Sequence, residues 1–452
     1  MNGLARVGRA LASDSRRAAL LGALGIAVCS LARTIPSQVL RPAESPPDAV
    51  DGRDYDHLAL NLARGRGFVY CWSDPEWRTP YERAENSRDY ALHLALRGPC
   101  VLTARRAPGY PVALAAVYWA WGRSFEAGRL LSAVALALAG ALGVVLAIRF
   151  GGATAGVLFA LCFLMDNQLR SLGGAYMAEP IACLAVMAVL VAHEALLRNP
   201  RRQAGVLAGC LLGLLLLVRH HFFPLWAFGL FAATLGAVRS RTLRPVWVAY
   251  GVTVLLTFAP WGVRNCLVLD ALMPLGTQGG QVLAGRYAED DTGRAGGTWD
   301  SGQAARLWAK RQGKPGSYRY PILAGELRSS LAVEREFAMV GQEAAGAWLR
   351  RNWRRLPALA LVSLRAHARG YGALGLAALV WGLAALAFPA PRRVAALGLV
   401  IVGMTALTVA LTFEANGRYG APVRPVAYLV GSLGFAASVS RLFRARRRPL
   451  AS

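Results

Sequence analysis

The chain has 452 residues, of which 55% are hydrophobic and only 17% are charged, and its formal net charge is +26. Soluble globular proteins usually carry about a quarter charged residues, so this composition excludes an ordinary soluble protein. The positive charge is almost entirely arginine and lies beside apolar runs, so we interpret it as a signal for membrane orientation rather than for nucleic-acid binding.

Ten apolar runs approach the ~20 residues that a helix needs to cross the hydrocarbon core. We therefore predict an all-α, polytopic integral membrane protein with about ten transmembrane helices. The first run lacks a clear small-x-small cleavage site and is followed by further spans, which favours an uncleaved anchor over a signal peptide. The predicted spans are 18–36, 129–148, 153–169, 177–197, 204–219, 222–238, 245–262, 371–388, 394–412 and 423–441.

Arginine placement predicts the orientation of these spans. Four arginines lie between residues 6 and 17, and five lie between residues 441 and 448. By the positive-inside rule both termini are then cytoplasmic, which requires an even number of spans in the cell membrane. If the aromatic run 107–122 also crossed, the arginine-rich short loops at 198–202 and 239–244 would face outward. We therefore predict that 107–122 is a juxtamembrane or re-entrant helix on the outer side.

Two long hydrophilic segments, 37–128 and 263–370, are then extracytoplasmic. They divide the chain into an N-terminal module at 1–262 that contains the first outer segment, the second outer segment at 263–370, and a C-terminal module at 371–452 with a basic cytoplasmic tail.

The second outer segment has two recognisable parts. Residues 288–303 are rich in glycine and predict a flexible stretch. Residues 326–356 contain few helix breakers and show roughly helical apolar spacing, which predicts a helix lying on the membrane surface.

The cysteines give weaker evidence. Cys71 and Cys100 both fall in the first outer segment, where an oxidising compartment would allow them to form a disulfide. Whether they are paired stays open on the sequence. No cysteine spacing suggests a zinc site, and we predict no metal and no cofactor.

A dense charge cluster follows the first span, in "DGRDYDHLALNLARGRGF" at 51–68. Its apolar residues predict a short helix that packs on the protein or the membrane and ends near Arg64. The acids are either the solvated start of a loop or part of a functional cleft. Asp51 is the candidate functional acid, and Asp54 is expected to be a surface partner of a nearby arginine.

Glu179 is the second candidate acid, since it opens the predicted span 177–197 at the outer face. A carboxylate at this position can simply complement the helix dipole. Ionisable groups at the edge of a membrane bundle are also often functional, so Asp51 and Glu179 are the two acids best placed to share an outward-facing cavity.

A set of arginines lies at predicted outer span ends or beside the aromatic run, namely Arg105, Arg106, Arg219, Arg264 and Arg418. Each could be a lipid headgroup anchor. Together they could bind a phosphate, because guanidinium groups hold phosphate bidentately and keep their charge.

At these residues the chain resembles the GT-C class of membrane glycosyltransferases, in the branch of the protein O-mannosyltransferases and the lipid A aminoarabinose transferase. The resemblance covers roughly residues 20 to 430. Its motifs are Asp-x-x-x-Tyr at Asp51 and Tyr55, Arg-x-Pro-Gly-Tyr-Pro with Arg106 and Tyr110, an acid opening a later span at Glu179, Pro-Trp-x-x-Arg-Asn with Arg264 and Asn265, and Arg-Tyr-x-x-Pro with Arg418 and Tyr419.

The resemblance implies a metal-independent transferase that takes a sugar from a polyprenyl-phosphate donor and passes it to a glycan, lipid or protein acceptor on the extracytoplasmic side. It implies that Asp51 is the catalytic acid of the first outer loop. The basic cluster would hold the lipid phosphate, with Arg219 where relatives often carry lysine. Glu179 could orient a substrate or share the base role, and the two roles stay open.

Two other functions compete with this one. A transporter or flippase for lipid-linked saccharides could have the same topology, but such proteins often show paired repeats or helices broken near the middle of the membrane. A non-catalytic protein that binds lipid-linked sugars is the third possibility, against which the presence of Asp51 argues.

Overall fold

The computed structural model describes residues 19–33, 45–47, 49–84, 91–287, 300–412 and 417–446. These residues form helices almost throughout, with one small hairpin. The helices are α1 Ala19–Arg33, α2 Val50–Ala63, α3 Pro75–Arg83, α4 Ala91–Leu94, α5 Gly109–Trp121, α6 Phe125–Met165, α7 Asn167–Gly173, α8 Glu179–Arg198, α9 Arg202–Val218, α10 Phe223–Arg239, α11 Arg244–Leu269, α12 Gln278–Tyr287, α13 Ser301–Arg311, α14 Tyr320–Ser329, α15 Leu331–Asn352, α16 Leu356–Ala385, α17 Arg392–Thr412 and α18 Arg424–Arg446. The strands are β1 Val69–Tyr70 and β2 Val101–Leu102, which pair antiparallel.

The predicted all-α polytopic fold is confirmed. Within the described ranges, seven helical stretches are long and apolar enough to cross a membrane, and α1 and α9 are shorter apolar helices. The 41-residue α6 changes direction at Gly152, whose φ of 73° is in the left-handed region that favours glycine. Because α6 thereby supplies two of the predicted spans, every predicted span coincides with an apolar helical segment.

Helix ends differ from the prediction where capping residues intervene. The predicted span 153–169 ends earlier, at Met165, because the Asp166 side chain accepts hydrogen bonds from the backbone amides of Gln168 and Leu169 and starts α7. Helix α16 changes direction at Gly372 (φ 66°), close to the predicted boundary between the second outer segment and the C-terminal module.

Small residues let the bundle helices approach closely. Gly209 and Gly213 lie one helical turn apart on α9, where they face α11. A β-carbon at Gly209 would lie 2.4 Å from the carbonyl oxygen of Tyr250, and one at Gly213 would lie 2.6 Å from Thr257. Glycine is therefore required at these contacts, as is common where helices pack inside membranes.

The first outer segment is a small compact unit. Cys71 and Cys100, whose pairing stayed open on the sequence, are joined by a disulfide beside the antiparallel strands β1 and β2. Helix α5 has 13 residues and is therefore about 20 Å long. That is too short to cross a hydrocarbon core of about 30 Å, which agrees with the prediction for 107–122. Trp119 and Trp121 remain 81% and 76% exposed, as membrane-interface anchors would be.

The second outer segment corrects one prediction. The stretch 326–356 is not one helix, because Ser330 adopts an extended backbone, ends α14 and caps α15 through its side chain. Helix α15 also buries Phe337, Ala338 and Gly341 against the protein, so it does not simply lie on the membrane surface. Of the predicted flexible stretch, residues 288–299 lie outside the described residues, as do the arginines before residue 19 and after residue 446.

Candidate active site

A cavity of about 350 Å³ opens where the outer segments meet the helix bundle. We call it the arginine-lined cavity, because four buried arginines face it. Its charged lining consists of Asp51, Arg105, Arg106, Arg219 and Arg328. The Asp51 side chain is 24% exposed. The cavity therefore presents one accessible carboxylate among several guanidinium groups.

The structure brings four of the predicted residues together around Asp51. The Asp51 Oδ1 atom accepts a hydrogen bond from Arg106 Nη2 at 2.5 Å, and its Oδ2 atom accepts one from Arg418. Arg418 also donates to Glu179, which forms a second ion pair with Arg219. We call these five residues the cavity cluster. Its members come from sequence positions as far apart as 51 and 418.

Both acids of the cavity cluster begin helices, but their exposure differs. Asp51 lies in the first turn of α2 and Glu179 is the first residue of α8. Glu179 is completely buried and does not line the cavity. Its partners Arg219 and Arg418 separate it from any ligand, so its contacts position these two arginines, while Asp51 can reach a substrate.

The environment of Asp51 keeps it ionised. Burial alone would raise the pKa of its carboxyl, but the charges of Arg106 and Arg418 and the hydrogen bond from Arg418 outweigh burial and hold the pKa below its ordinary value. Asp51 is therefore a carboxylate at neutral pH.

The structure corrects the expectation for Asp54. This residue is fully buried rather than a surface partner. Its Oδ1 atom accepts from Arg328 Nε at 2.9 Å, and its Oδ2 atom accepts from Arg106 Nε at 3.0 Å. His93 Nε2 lies 3.3 Å from Oδ1. Since Arg328 belongs to α14, we call Asp54, Arg328 and His93 the loop-bridging cluster, which joins the two outer segments.

Asp56, the third aspartate of α2, is also a buried structural residue. It accepts hydrogen bonds from Arg123 Nη2 at 2.5 Å, Tyr118 at 2.6 Å and Tyr81 at 2.9 Å. Of the three aspartates predicted in this helix, only Asp51 reaches the cavity. The charge density of the sequence stretch is thus explained mainly by pairing inside the protein.

The predicted tyrosines support the cavity cluster through their rings. The guanidinium of Arg106 lies 5.5 Å from the ring centre of Tyr55, and that of Arg219 lies 5.8 Å from the ring of Tyr419. Tyr110 is fully buried and packs edge-on against Tyr55 at 5.0 Å. Tyr55 and Tyr419 line the cavity, whereas Tyr110 lies behind Tyr55.

Arg264 and Asn265 are not brought to the cavity. Arg264 donates to the carbonyl oxygens of Thr103 at 2.6 Å and Phe68 at 3.3 Å, and it lies over the ring of Trp261 at 4.9 Å. Asn265 donates to the carbonyl oxygen of Pro274 at 3.1 Å. These contacts hold the ends of β1 and β2 against α11, which is a structural role.

Arg105 belongs to the predicted set of arginines but lies just outside the family motif that begins at Arg106. It lines the cavity, is only 7% exposed, and its Nη1 atom has no hydrogen-bond partner in the part of the chain that the structure describes. Burial, followed by the nearby charges of Arg328 and Arg106, lowers the pKa of Arg105. Its position beside Arg106 was visible in the sequence, but nothing there distinguished which of the two would be paired with acids.

The backbone before Arg105 is fixed by the second outer segment. Glu334 of α15 accepts hydrogen bonds from Thr103 Oγ1 at 2.7 Å, Thr277 Oγ1 at 2.6 Å and the Ala104 amide at 3.0 Å. A buried carboxylate with three donors is well satisfied. Sequence reasoning did not single out Glu334, which secures the segment carrying Arg105 and Arg106.

Two other features bear on the chemistry. Among the described residues, no group of three or more His, Cys, Asp or Glu side chains could hold a metal ion.

A larger groove of about 970 Å³ lies near the C-terminal end of α18, and among the described residues Arg441 is its only charged lining residue. Because no acid lines that groove, we place the candidate chemistry in the smaller, arginine-lined cavity.

Comparison with protein-family models and with curated proteins gives no match. Two crystal structures of ArnT from Cupriavidus metallidurans are similar to this chain, and ArnT is the kind of transferase that the sequence motifs resemble. The structure bound to undecaprenyl phosphate is 16% identical with a TM-score of 0.41, covering 94% of this chain and 79% of ArnT. The apo structure is 16% identical with a TM-score of 0.37, covering 96% and 80%. At this level the similarity carries no argument about the reaction.

Proposed function

We propose that this protein is a membrane glycosyltransferase that transfers a sugar from a polyprenyl-phosphate donor to an acceptor on the extracytoplasmic side. The observation that carries this proposal is the pairing, in one cavity, of an accessible carboxylate with a buried guanidinium, Arg105, whose Nη1 atom has no hydrogen-bond partner among the described residues. A polar group buried in this way normally has a partner, and a phosphate oxygen would supply one.

The charge balance around the cavity supports a phosphate ligand. Four guanidinium groups line it, and a fifth pairs with two acids beside it. Three carboxylates pair with these five groups, which leaves two positive charges in excess. The arginines are Arg105, Arg106, Arg219, Arg328 and Arg418, and the acids are Asp51, Asp54 and Glu179. A sugar phosphodiester carries one negative charge and its departing phosphate approaches two. The two uncompensated positive charges therefore match the charge of the departing phosphate better than that of the intact donor. This difference stabilises the transition state relative to the bound donor.

Another wall of the cavity could bind the polyprenyl chain of a lipid donor. It is apolar and lies beside transmembrane helices, where a polyprenyl chain could enter from the bilayer. Its apolar residues are Val218, Phe223, Pro224, Leu275, Val282 and Leu283. Phe223 is 41% exposed at the start of α10. The cavity thus combines a phosphate-binding wall with an apolar wall, as a phospholipid-linked sugar requires.

The reaction follows from these positions. The acceptor oxygen or nitrogen attacks the anomeric carbon, the bond between that carbon and the phosphate oxygen breaks, and the phosphate leaves with the electron pair. The acceptor proton passes to Asp51. Arg105 and Arg106 stabilise the charge that grows on the departing phosphate. Glu179 acts by positioning Arg219 and Arg418 rather than by touching the substrate.

Donor binding would also prepare the base. Both oxygens of Asp51 accept hydrogen bonds from arginines, and the lowered pKa makes the carboxylate a weak base. A donor phosphate that takes over a guanidinium from Arg106 or Arg418 frees one oxygen and raises the pKa of Asp51. The carboxylate then becomes a better proton acceptor only when the donor is in place.

The extracytoplasmic placement is supported by the Cys71–Cys100 disulfide, since disulfides persist in oxidising compartments. Cysteine labelling tests it in a background that retains only this pair. A cysteine replacing the exposed Arg311 should react with an impermeant reagent from outside, and one replacing the exposed Arg201 should be protected. Labelling of position 201 from outside would contradict the proposed orientation.

Transfer itself is tested with purified protein in nanodiscs. The protein is incubated with radiolabelled polyprenyl-phosphate sugars and cell-envelope extract, and the products are identified by mass spectrometry together with the glycans of a deletion strain. We expect new glycosylated product with the wild-type protein and far less with Asp51→Asn. If proteoliposomes instead move the donor across the bilayer without forming product, the protein is a flippase.

A further inference from the structure

The arginine-lined cavity has a second polar wall without charge. The short 3₁₀ turn His220–Phe222 between α9 and α10 forms one part of this wall, and α12 forms the other. Its polar side chains are His220, His221, Gln278 and Gln281. A phosphate binds hydrogen-bond donors and positive charge, whereas sugar hydroxyls bind donors and acceptors alike. This wall therefore suits the sugar rather than the phosphate.

His220 stands out within this wall. Both of its ring nitrogens are buried, and neither has a hydrogen-bond partner among the described residues. His193 on α8 differs, because its Nδ1 lies 2.8 Å from the Val189 carbonyl oxygen and its Nε2 lies 3.0 Å from the Tyr250 hydroxyl. Buried polar atoms are rarely left without partners, so the two nitrogens of His220 point to a ligand with hydroxyl groups.

The turn that carries His220 is held firmly. The Arg219 amide donates to the Leu215 carbonyl oxygen at 3.0 Å, and the Phe222 amide donates to the Arg219 carbonyl oxygen at 3.2 Å. Phe222 is almost completely buried, and Arg219 is anchored by Glu179. The residues on both sides of His220 in this turn are thus held in place. A residue that selects one ligand over another needs such a fixed backbone.

Resting on the proposed function, we propose that His220 recognises the transferred sugar by hydrogen bonds to its hydroxyl groups. A neutral imidazole offers one donor and one acceptor, and neighbouring hydroxyls on a pyranose ring can satisfy both. His220 is then a specificity-determining residue, distinct from Arg105 and the cavity cluster, which face the phosphate and the reacting bond.

The test compares two ligands in nanodiscs: a short-chain polyprenyl phosphate without sugar and a panel of its mannosyl, glucosyl, galactosyl and arabinosyl esters. The variants are His220→Phe, which keeps a ring of similar size but removes both polar atoms, and His220→Gln, which keeps one donor and one acceptor. His193→Phe is the control for loss of a buried histidine away from the cavity. Equilibrium binding and melting temperature are measured for each.

We expect wild-type protein to bind at least one glycosyl ester more tightly than the sugar-free phosphate. His220→Phe should weaken that ester about tenfold, as the loss of one or two hydrogen bonds predicts, and should leave binding of the sugar-free phosphate unchanged. His220→Gln should restore part of the loss. His193→Phe should alter the melting temperature alone.

Other results overturn the inference and separate its failure from that of the proposed function. If His220→Phe weakens both ligands equally or weakens neither, His220 does not recognise the sugar, although the phosphate site stands. The same conclusion follows if no ester binds more tightly than the sugar-free phosphate. If wild-type protein binds no polyprenyl phosphate at all, the proposed function fails and the sugar contact fails with it.

Discussion

The cavity cluster and the loop-bridging cluster are built from the same residue types but differ in exposure. In the first, Asp51 is 24% exposed and faces a cavity. In the second, Asp54 is fully buried between the two outer segments. Arg106 of the cavity cluster connects the two, because its Nη2 atom lies 2.5 Å from Asp51 and also 2.5 Å from Asp54. One turn of α2 therefore separates an acid that can meet a substrate from an acid that cannot.

This difference shows why ion pairs alone do not identify a catalytic site. Asp54 has more partners than Asp51, including Arg328 and His93, and the charges of Arg328 and Arg106 hold its pKa far below the ordinary value despite the opposing effect of burial. A buried network of ion pairs and hydrogen bonds of this kind fixes the positions of its side chains but cannot reach a substrate. Asp51 differs because it lines a cavity. The same cavity contains Arg105, whose Nη1 atom has no hydrogen-bond partner among the described residues.

The largest expected effect is on catalysis. Asp51→Asn keeps the size of the side chain but cannot accept a proton at neutral pH. Because general-base assistance contributes about 10²–10⁴-fold, we expect sugar transfer to fall by that factor while donor binding survives. The measurement is transfer from a purified polyprenyl-phosphate donor by matched amounts of folded protein.

Asp56→Asn is the matched control, since Asp56 lies on the same helix and is fully buried away from the cavity. It should lower stability and leave the rate per folded molecule nearly unchanged. Transfer at the wild-type rate by Asp51→Asn would mean that Asp51 is not the base.

The second effect is on stability. Asp54→Asn removes the charge that pairs with Arg328 and Arg106, and it leaves these two guanidinium groups buried and undercompensated. Breaking a buried pair of this kind costs roughly 3–5 kcal/mol. We expect a clearly lower melting temperature and faster proteolysis of the outer segments. An Asp54→Asn protein as stable as the wild type would show that the loop-bridging cluster does not hold the segments together.

The third effect separates two arginines that the sequence treated alike. Arg105→Ala should weaken binding of polyprenyl phosphate by about 10- to 100-fold, because a hydrogen bond to a charged group contributes about 1.5–3 kcal/mol. Arg105→Lys should recover only part of this, since an ammonium group lacks the planar fork. Arg264→Ala should lower stability through lost contacts to Phe68 and Thr103 but leave phosphate affinity unchanged.

Titration with polyprenyl phosphate, followed by tryptophan fluorescence in nanodiscs, distinguishes these arginines. Loss of affinity in Arg264→Ala with none in Arg105→Ala would reverse their assigned roles and return the site to the one expected from sequence motifs.

The sequence predicts the helices of this fold well because the bilayer imposes a length and a hydropathy on each span. All the predicted spans coincide with apolar helical segments, whereas the pairing of Cys71 with Cys100 stayed open on the sequence. Helix ends inside a continuous helical pattern were harder to predict. Ser330 ends one helix and caps the next, because a serine side chain can cap a new helix as readily as it can continue an existing one.

The candidate site was only partly predictable, for a different reason. Motif order indicated Asp51, Glu179, Arg106 and Arg418, which the structure brings together. Which arginine keeps a nitrogen without a protein partner depends on pairings between distant segments, such as Arg328 with Asp54. No local pattern encodes such a pairing, so the family motifs include Arg264 and pass over Arg105.

The smallest expected effect is the part of the pH dependence of stability that comes from the loop-bridging cluster. Burial lowers the pKa of His93 to about 4, below the value of about 6.5 of a histidine in an unfolded chain. Between these two values the unfolded chain binds the additional proton, so stability should fall as pH drops from about 6.5 to 4, by at most about 1.4 kcal/mol per pH unit. Below about pH 4 the lowered pKa of Asp54 adds a further loss of stability, since the carboxyl protonates first in the unfolded chain.

Melting temperatures measured between pH 8 and 3 test the contributions of His93 and Asp54 separately. His93→Gln should make the fall above pH 4 less steep, and Asp54→Asn should do the same below pH 4. An unchanged slope in both variants would show that acid sensitivity arises outside this cluster.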